Sequence, residues 1–192
     1  MSTHASYHHG NLPRTIISAA LDVIAESGPS ALSLRDLARR AGVSHAAPAH
    51  HFGDRAGLLT AVAVQGFGLL ADALAEAQRQ TGDFLEVGVA YVGFAVGHPA
   101  HFAVMFRPEL YRADDPELIA AKARAGESLY RGVAPFAASE SGPDSPEAAL
   151  AAWSLVHGFA TLWLSGNLPA GLPADPRQAA RGVASVLFSR RG

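Results

Sequence analysis

Leu32-Ser33-Leu34-Arg35-Asp36-Leu37-Ala38-Arg39-Arg40-Ala41-Gly42-Val43-Ser44-His45-Ala46-Ala47 reads as two short helices joined by a tight turn. Ser33 is placed to cap the first helix, with Asp36 three residues on as a weaker form of the capping box. Leu34, Leu37, Ala38 and Ala41 fall on one face at helical spacing. Gly42 stands where a left-handed turn residue is needed, Val43 returns to the core, and Ser44 is expected to cap the second helix. A helix this short does not persist alone, so packing must hold it. Its outer face, His45, Ala46, Ala49 and His50, is small or hydrogen-bonding rather than charged, and such a surface can enter a DNA major groove closely. An ordinary helical hairpin in an all-helical core has the same local pattern, so the flanking sequence must decide.

Upstream, residues 12–27 form an amphipathic helix with Ile16, Ile17, Ala20, Leu21 and Ile24 on one face, stopped by Gly28-Pro29. Downstream, in His50-His51-Phe52-Gly53-Asp54-Arg55-Ala56-Gly57-Leu58-Leu59, Asp54 caps a long helix reaching about residue 79. With these elements in register the chain resembles the TetR/AcrR family of transcriptional regulators. The resemblance lies in the lead-in Tyr7-His8-His9-Gly10-Asn11-Leu12, the body 34–43, and the exit His51-Phe52-Gly53-Asp54-Arg55. It implies an all-α fold of about nine helices: a three-helix helix-turn-helix DNA-binding domain at 1–55, then a helical bundle at 56–192 for ligand binding and dimerisation. Two positions depart from the family pattern. Pro48 and Ala49 stand where a bulky apolar residue and an aromatic are usual, so the phosphate contact of that aromatic is lost at Ala49. Pro48 lacks an N–H and its ring crowds the Ser44 carbonyl, so the second helix is expected to start late or bend.

The composition suits a small regulator. The 192 residues are 49% hydrophobic, ample for a core of one or two modest domains. The polar, His-rich N-terminus predicts no secretory signal, and the lack of cysteine suits a reducing cytoplasm and rules out thiolate metal sites. A net charge of −2 argues mildly against nucleic acid, but residues 1–60 hold Arg14, Arg35, Arg39, Arg40 and Arg55 against four carboxylates, with six of the nine His. The basic face is local.

The stretch 87–106 carries no Asp, Glu, Lys or Arg and is long enough to span a bilayer. His98-Pro99 interrupts it, however, so two buried helices at about 84–97 and 99–106 are expected, and no membrane partner. Further helices are predicted from Pro116 to about 138, from Pro146 to about 165 and from Pro176 to about 189. No alternating strand pattern appears, which makes the chain all-α on pattern alone.

Trp153-Ser154-Leu155-Val156-His157-Gly158 is a second signature, similar to the ligand domain of the WHG-type branch of the same family. Trp153 and His157 lie four apart on one helix face, with Ala160 and Leu164 continuing the stripe; Leu155, Phe159 and Leu162 form another. A helix apolar on two sides is buried on two sides. A satisfied core pair is an equally open reading of Trp153 and His157.

No Gly-Lys-Ser phosphate loop, no Gly-x-Ser-x-Gly and no cysteine nucleophile is present, so no catalytic residue and no cofactor is expected. His98 and His101 suggest a metal only weakly, since Pro99 breaks the helix between them and no set of ligands is complete.

These observations lead to a homodimeric, ligand-responsive regulator, expected to be a repressor released from a palindromic operator by a small apolar effector. On double-stranded DNA, phosphate contacts are expected from Ser33, Arg35, His51 and Arg55, and groove contacts from Ser44, His45, Ala46, Ala49 and His50. Phe94, His101, Phe102, Met105, Tyr130, Trp153 and His157 are expected at the effector, with Phe84, Phe106 and Phe159 as further candidates. The resemblance implies that helices 146–165 and 176–189 pair with their twofold mates, with Gly158 and Ala160 allowing close crossing. The alternative is a dimeric DNA-binding protein whose body senses nothing; a solid body favours it, and a cavity of several hundred cubic ångströms favours sensing.

Overall fold

The computed structural model describes residues 12–137 and 146–188, and the regular elements among these residues are all helical. They are α1 (Leu12–Ser27), α2 (Leu34–Arg40), α3 (Ala47–Phe52), α4 (Arg55–Thr81), α5 (Phe84–Gly97), α6 (Pro99–Met105), α7 (Pro116–Ala137), α8 (Pro146–Leu164) and α9 (Pro176–Phe188). Single 3₁₀ turns at Pro29–Ala31 and Pro108–Leu110 complete the chain path. The lead-in 7–11 and the final residue of the expected 176–189 helix lie outside the described residues, as do the side chains of Tyr130 and Leu187.

The N-terminal helices share one core. Ile16, Ala20, Val23 and Ile24 of α1 meet Leu32, Leu37 and Ala38 around α2, and Leu58, Leu59 and Val62 of α4 close it. The Ser33 hydroxyl accepts from the Asp36 N–H at 3.5 Å, as the capping pattern predicts. Gly42 takes φ +65°, which lets the Val43 N–H reach back to the Ala38 carbonyl and end α2 sharply.

The second helix of the pair starts late, as expected from Pro48, and not at the Ser44 cap. Ser44 does not cap it; the Ser44 carbonyl instead accepts from the Ala47 N–H in a preceding turn, and α3 starts at Ala47. Pro48 therefore falls in the first helical turn, where an N–H would have no intrahelical partner anyway. Pro48 and Ala47 are both buried against the neighbouring helices. The proline sets where the helix begins.

Asp54 starts α4 by accepting from the Gly57 N–H at 2.9 Å. Here α3 and α4 approach so closely that a Cβ on Gly57 would lie 2.0 Å from the Phe52 carbonyl oxygen. From this point α4 runs about 40 Å at the usual helical rise. Its first half belongs to the core just described, and its second half presents Phe67, Leu70 and Leu74 to the body.

In the body, α5 and α6 meet at 103° across His98-Pro99 and bury Val87, Tyr91, Val92, Val104 and Met105. The uncharged run is therefore two core helices. On the far side, Arg181 of α9 grips Glu86 of α5 through two hydrogen bonds of 2.8 and 2.6 Å. The bonds and charge of Arg181 hold the Glu86 carboxyl below its ordinary pKa. The inner face of α8 carries Ala149, Ala152, Val156, Phe159 and Ala160. Ala160 is fully buried within its own chain, which corrects its expected place at a twofold partner: it lies on the inward stripe beside Val156 and Phe159. The outward side of α8 instead carries half-buried Leu155, Gly158 with no neighbour within 4 Å of its Cβ position, and exposed Leu162. Exposed Val186 lies on α9.

Gly57→Ala should lower the stability by about 1–3 kcal/mol, because the new methyl group meets backbone that cannot yield cheaply. Gly97→Ala, whose Cβ meets nothing within 4 Å, should hold or raise the melting temperature. Thermal melts of the two variants beside the parent check this.

Candidate DNA-binding face and body cavity

The turn before α3 and the outer side of α3 place Ser44, His45, Ala46, Ala49, His50 and His51 in solvent. The His50 and His51 rings meet edge to face with centroids 5.4 Å apart. Beside them Arg35 of α2 is exposed and makes no ion pair among the described residues. Arg40 is engaged elsewhere, in a bidentate pair with Glu26 at 3.2 and 2.8 Å that depresses the Glu26 pKa. Arg55 differs from its expected role. It is half-buried, and its guanidinium donates to the Pro29 carbonyl at 2.8 Å, so it ties the α1–α2 connection to the start of α4 instead of standing out from the face.

Immediately behind this face, the segment after α6 grips α4. The Arg112 guanidinium donates to Asp54 Oδ2 at 3.0 Å, and the Arg112 backbone N–H donates to the Thr60 hydroxyl at 3.0 Å. Thr60 in turn donates to the Ala56 carbonyl. The Gly57 N–H and then Arg112 hold the Asp54 carboxyl below its ordinary pKa. One residue earlier, the buried Tyr111 hydroxyl donates to the Met105 carbonyl at 2.9 Å.

Met105 and Tyr111 also wall a cavity of about 680 Å³ between α4, α5, α7 and α8. Three helical stripes build it: Phe67, Leu70 and Leu74; Lys122, Ala125, Gly126 and Leu129; and Ala149, Trp153 and His157. Its polar groups are largely paired with each other. The Trp153 indole N–H donates to the Tyr91 hydroxyl at 3.3 Å, and the same hydroxyl is hydrogen-bonded to Nδ1 of His157 at 2.9 Å. Burial lowers the His157 pKa, favouring the neutral ring. Burial raises the Tyr91 pKa, keeping the phenol protonated.

Of the residues expected at a ligand, Met105, Trp153 and His157 line the cavity, as does Phe106. Phe102 stands one layer back, its ring 5.3 Å from His157 and 5.2 Å from Phe106. Phe94 points away, into the groove beside His98, Arg177 and Arg181. His101 is buried between α4 and α6, donating from Nε2 to Gln65 Oε1 at 3.1 Å. Phe84 and Phe159 are core residues, and the side chain of Tyr130 lies outside the described set. Tyr91, Tyr111, Lys122 and the α4 stripe were not foreseen. Apolar residues at i, i+3 and i+7 look the same whether they face a cavity or a solid core.

Burial, reinforced by the neighbouring His98, pushes the His101 pKa down from 6.5 to about 4. The folded protein keeps this ring neutral while the unfolded chain protonates it, so the unfolded state binds more protons across that interval. Its contribution is complete above about pH 6.5 and is lost as the pH falls toward 4, by at most about 3 kcal/mol. His101→Gln, which can still donate to Gln65, should flatten the melting temperature over this range in buffered thermal melts.

Residues 16–62 match the family model described as bacterial regulatory proteins of the tetR family, and residues 84–187 match that of the tetracyclin repressor-like C-terminal domain. Among solved structures, a protein of unknown function from Rhodococcus sp. RHA1 is 33% identical, with a TM-score of 0.81 over 97% of this chain and 98% of that one. The TetR family transcriptional regulator PfmR from Thermus thermophilus is 21% identical, with a TM-score of 0.68 over 92% and 98%. The TetR-like regulator LfrR from Mycobacterium smegmatis, in complex with proflavine, is 23% identical, with a TM-score of 0.66 over 93% and 95%. No curated protein matches the chain. A three-helix head with an exposed α3, an all-α architecture of nine helices among the described residues, and matches along most of the sequence converge: this chain belongs to the TetR family of bacterial transcriptional regulators, DNA-binding proteins rather than enzymes.

Proposed function

We propose that this regulator is a homodimeric repressor whose hold on a palindromic operator is released by a small, mainly apolar effector. The observation that carries the reading is one continuous connection. The cavity is walled by Met105 and Tyr111, and the next residue, Arg112, grips the first turn of α4 directly behind α3. Residues through about 55 act as the reading head, and the remainder as the sensing and dimerising body. An effector filling the cavity displaces the 105–112 segment and, through Asp54 and Thr60, the start of α4. The heads of a dimer then lose the spacing of adjacent major grooves. Only an effector that prefers this DNA-incompetent arrangement produces release. The cavity volume, within the range of pockets for drug-sized molecules, favours sensing over a body that merely dimerises. LfrR, with proflavine bound, is a fold relative that carries a ligand. A cytoplasmic location follows from this role.

Ser44, His45, Ala46, Ala49 and His50 read the groove in this scheme, and Ser33, Arg35 and His51 hold phosphates, while Arg55 braces the head from within. DNA selected from random duplexes should yield a palindrome with half-sites on one face of the helix. Arg35→Ala should weaken all sequences alike and reduce the salt slope by about 1. His45→Ala should relax discrimination at one base pair by about 1–3 kcal/mol. If both variants bind selected and random DNA like the parent, the assigned face is wrong.

The dimer is proposed to form on the outward sides of α8 and α9, where Leu155, Gly158, Leu162 and Val186 lie. Leu162→Glu places a charge on that apolar surface and should produce a folded monomer with sharply reduced operator affinity. Sedimentation of an unchanged dimer would place the interface elsewhere.

Arg112→Ala separates sensing from stability. The Arg112–Asp54 pair is exposed, so its loss should cost under about 1 kcal/mol in a thermal melt. Operator release at saturating effector should nevertheless fall about fivefold or more, because the side-chain grip on the Asp54 cap is gone and only the backbone bond to Thr60 remains.

A further inference from the structure

The chain contains a single lysine, and that lysine is the one charged residue on the described wall of the body cavity. Every other cationic position apart from histidine is arginine. Lys122 shares its stripe of α7 with Ala125, Gly126 and Leu129, and its ammonium lies 4.8 Å from the centroid of the Tyr111 ring and 5.6 Å from that of Phe67. It makes no hydrogen bond or ion pair among the described residues. No Asp or Glu among the described residues lines the cavity with it.

Apart from the Ser154 hydroxyl and Nε2 of His157, the other polar atoms nearby are already engaged. Tyr111 donates to Met105, and Trp153, Tyr91 and His157 serve one another. The three N–H donors of Lys122 are the strongest unspent hydrogen-bonding capacity on the wall. A neutral apolar ligand would strip water from the ammonium and return only dispersion contacts, and a cationic ligand would be repelled. An anion replaces that water with a charge-assisted hydrogen bond. The remaining wall is almost wholly apolar.

We propose that the cavity takes a monoanionic amphiphile, a carboxylate on an apolar acyl or aryl body, with the carboxylate on Lys122 beside the Tyr111 and Phe67 rings. The apolar body then lies along Leu70, Leu74 and Leu129. This names the effector class for the site proposed above and rests on that reading. It also places the anionic head against Tyr111, one residue from the Arg112 grip on α4.

Decanoate, decan-1-ol and decylamine are matched probes differing only in the head group. Binding is read by calorimetry and by tryptophan fluorescence, on the parent, Lys122→Met and Lys122→Arg. The parent should bind decanoate at least about tenfold more tightly than decan-1-ol. Lys122→Met should lose this preference while keeping its affinity for decan-1-ol, and Lys122→Arg should retain the preference. No decanoate binding, equal affinity for the alcohol, tighter binding of the amine, or a preference unchanged in Lys122→Met would each overturn the assignment. Operator release measured in parallel separates the two readings. Lys122-dependent decanoate binding without release would leave the anion site standing and remove effector-driven release. Release by decan-1-ol in a parent that shows no preference for decanoate would do the reverse.

Discussion

The first turn of α4 joins the two halves of the molecule, beside the packing of α1 against α6. Asp54 caps it, the Gly57 N–H and the Arg112 guanidinium share the Asp54 carboxylate, and Thr60 accepts from the Arg112 backbone one turn later. Upstream, Gly57 lets α3 sit directly on this turn; downstream, the same unbroken helix supplies Phe67, Leu70 and Leu74 to the cavity. An α-helix is stiff along its axis, because each residue is held by bonds to the turns on either side. In the mechanism proposed above, this stiffness carries a displacement of the body end of α4 to the head. Among the described residues, Arg112 is the one side chain that holds the Asp54 cap from outside the head.

Charge is used locally. The chain is slightly acidic overall, yet the outer side of α3 and the exposed Arg35 present no carboxylate, and Arg40 is matched by Glu26 away from that side. In the body the longest-range pairs, such as Arg181 with Glu86, fasten one helix to another. These pairs are solvent-exposed at least in part, so they add register more than stability. The stability of the fold rests on apolar burial, with Ile16, Leu37, Leu58, Leu59 and Val62 in the head and Leu74, Val87, Val92 and Met105 in the body all close to complete burial.

Trp153 and His157 illustrate how one pair can be structural and accessible together. Both touch the cavity, yet each is also hydrogen-bonded through Tyr91, so the wall is chemically quiet where an apolar ligand would lie. A polar group drawn away from water without a partner is costly, and the Tyr91 hydroxyl on α5 serves both of these part-buried groups on α8. The partner sits more than sixty residues away in sequence. Spacing within α8 could not reveal it.

Helical class, the order and near-limits of the described helices, the Ser33 and Asp54 caps and the left-handed Gly42 were legible in the chain because each depends on residues within a few positions of one another. Periodicity, capping and glycine conformation are local properties. The exposed positions around α3 were legible for the same reason. What the linear order could not supply was which of several equivalent apolar stripes borders a cavity. Phe94 and Phe102 have the same chemistry as Phe67 and Phe106, but their angular positions on bent and crossing helices send them elsewhere. Nor could it show that Arg55 turns inward to Pro29 or that Ala160 faces its own core. Each of these depends on where a neighbouring helix lies, and helix packing is set by the sum of many contacts between residues far apart in the chain.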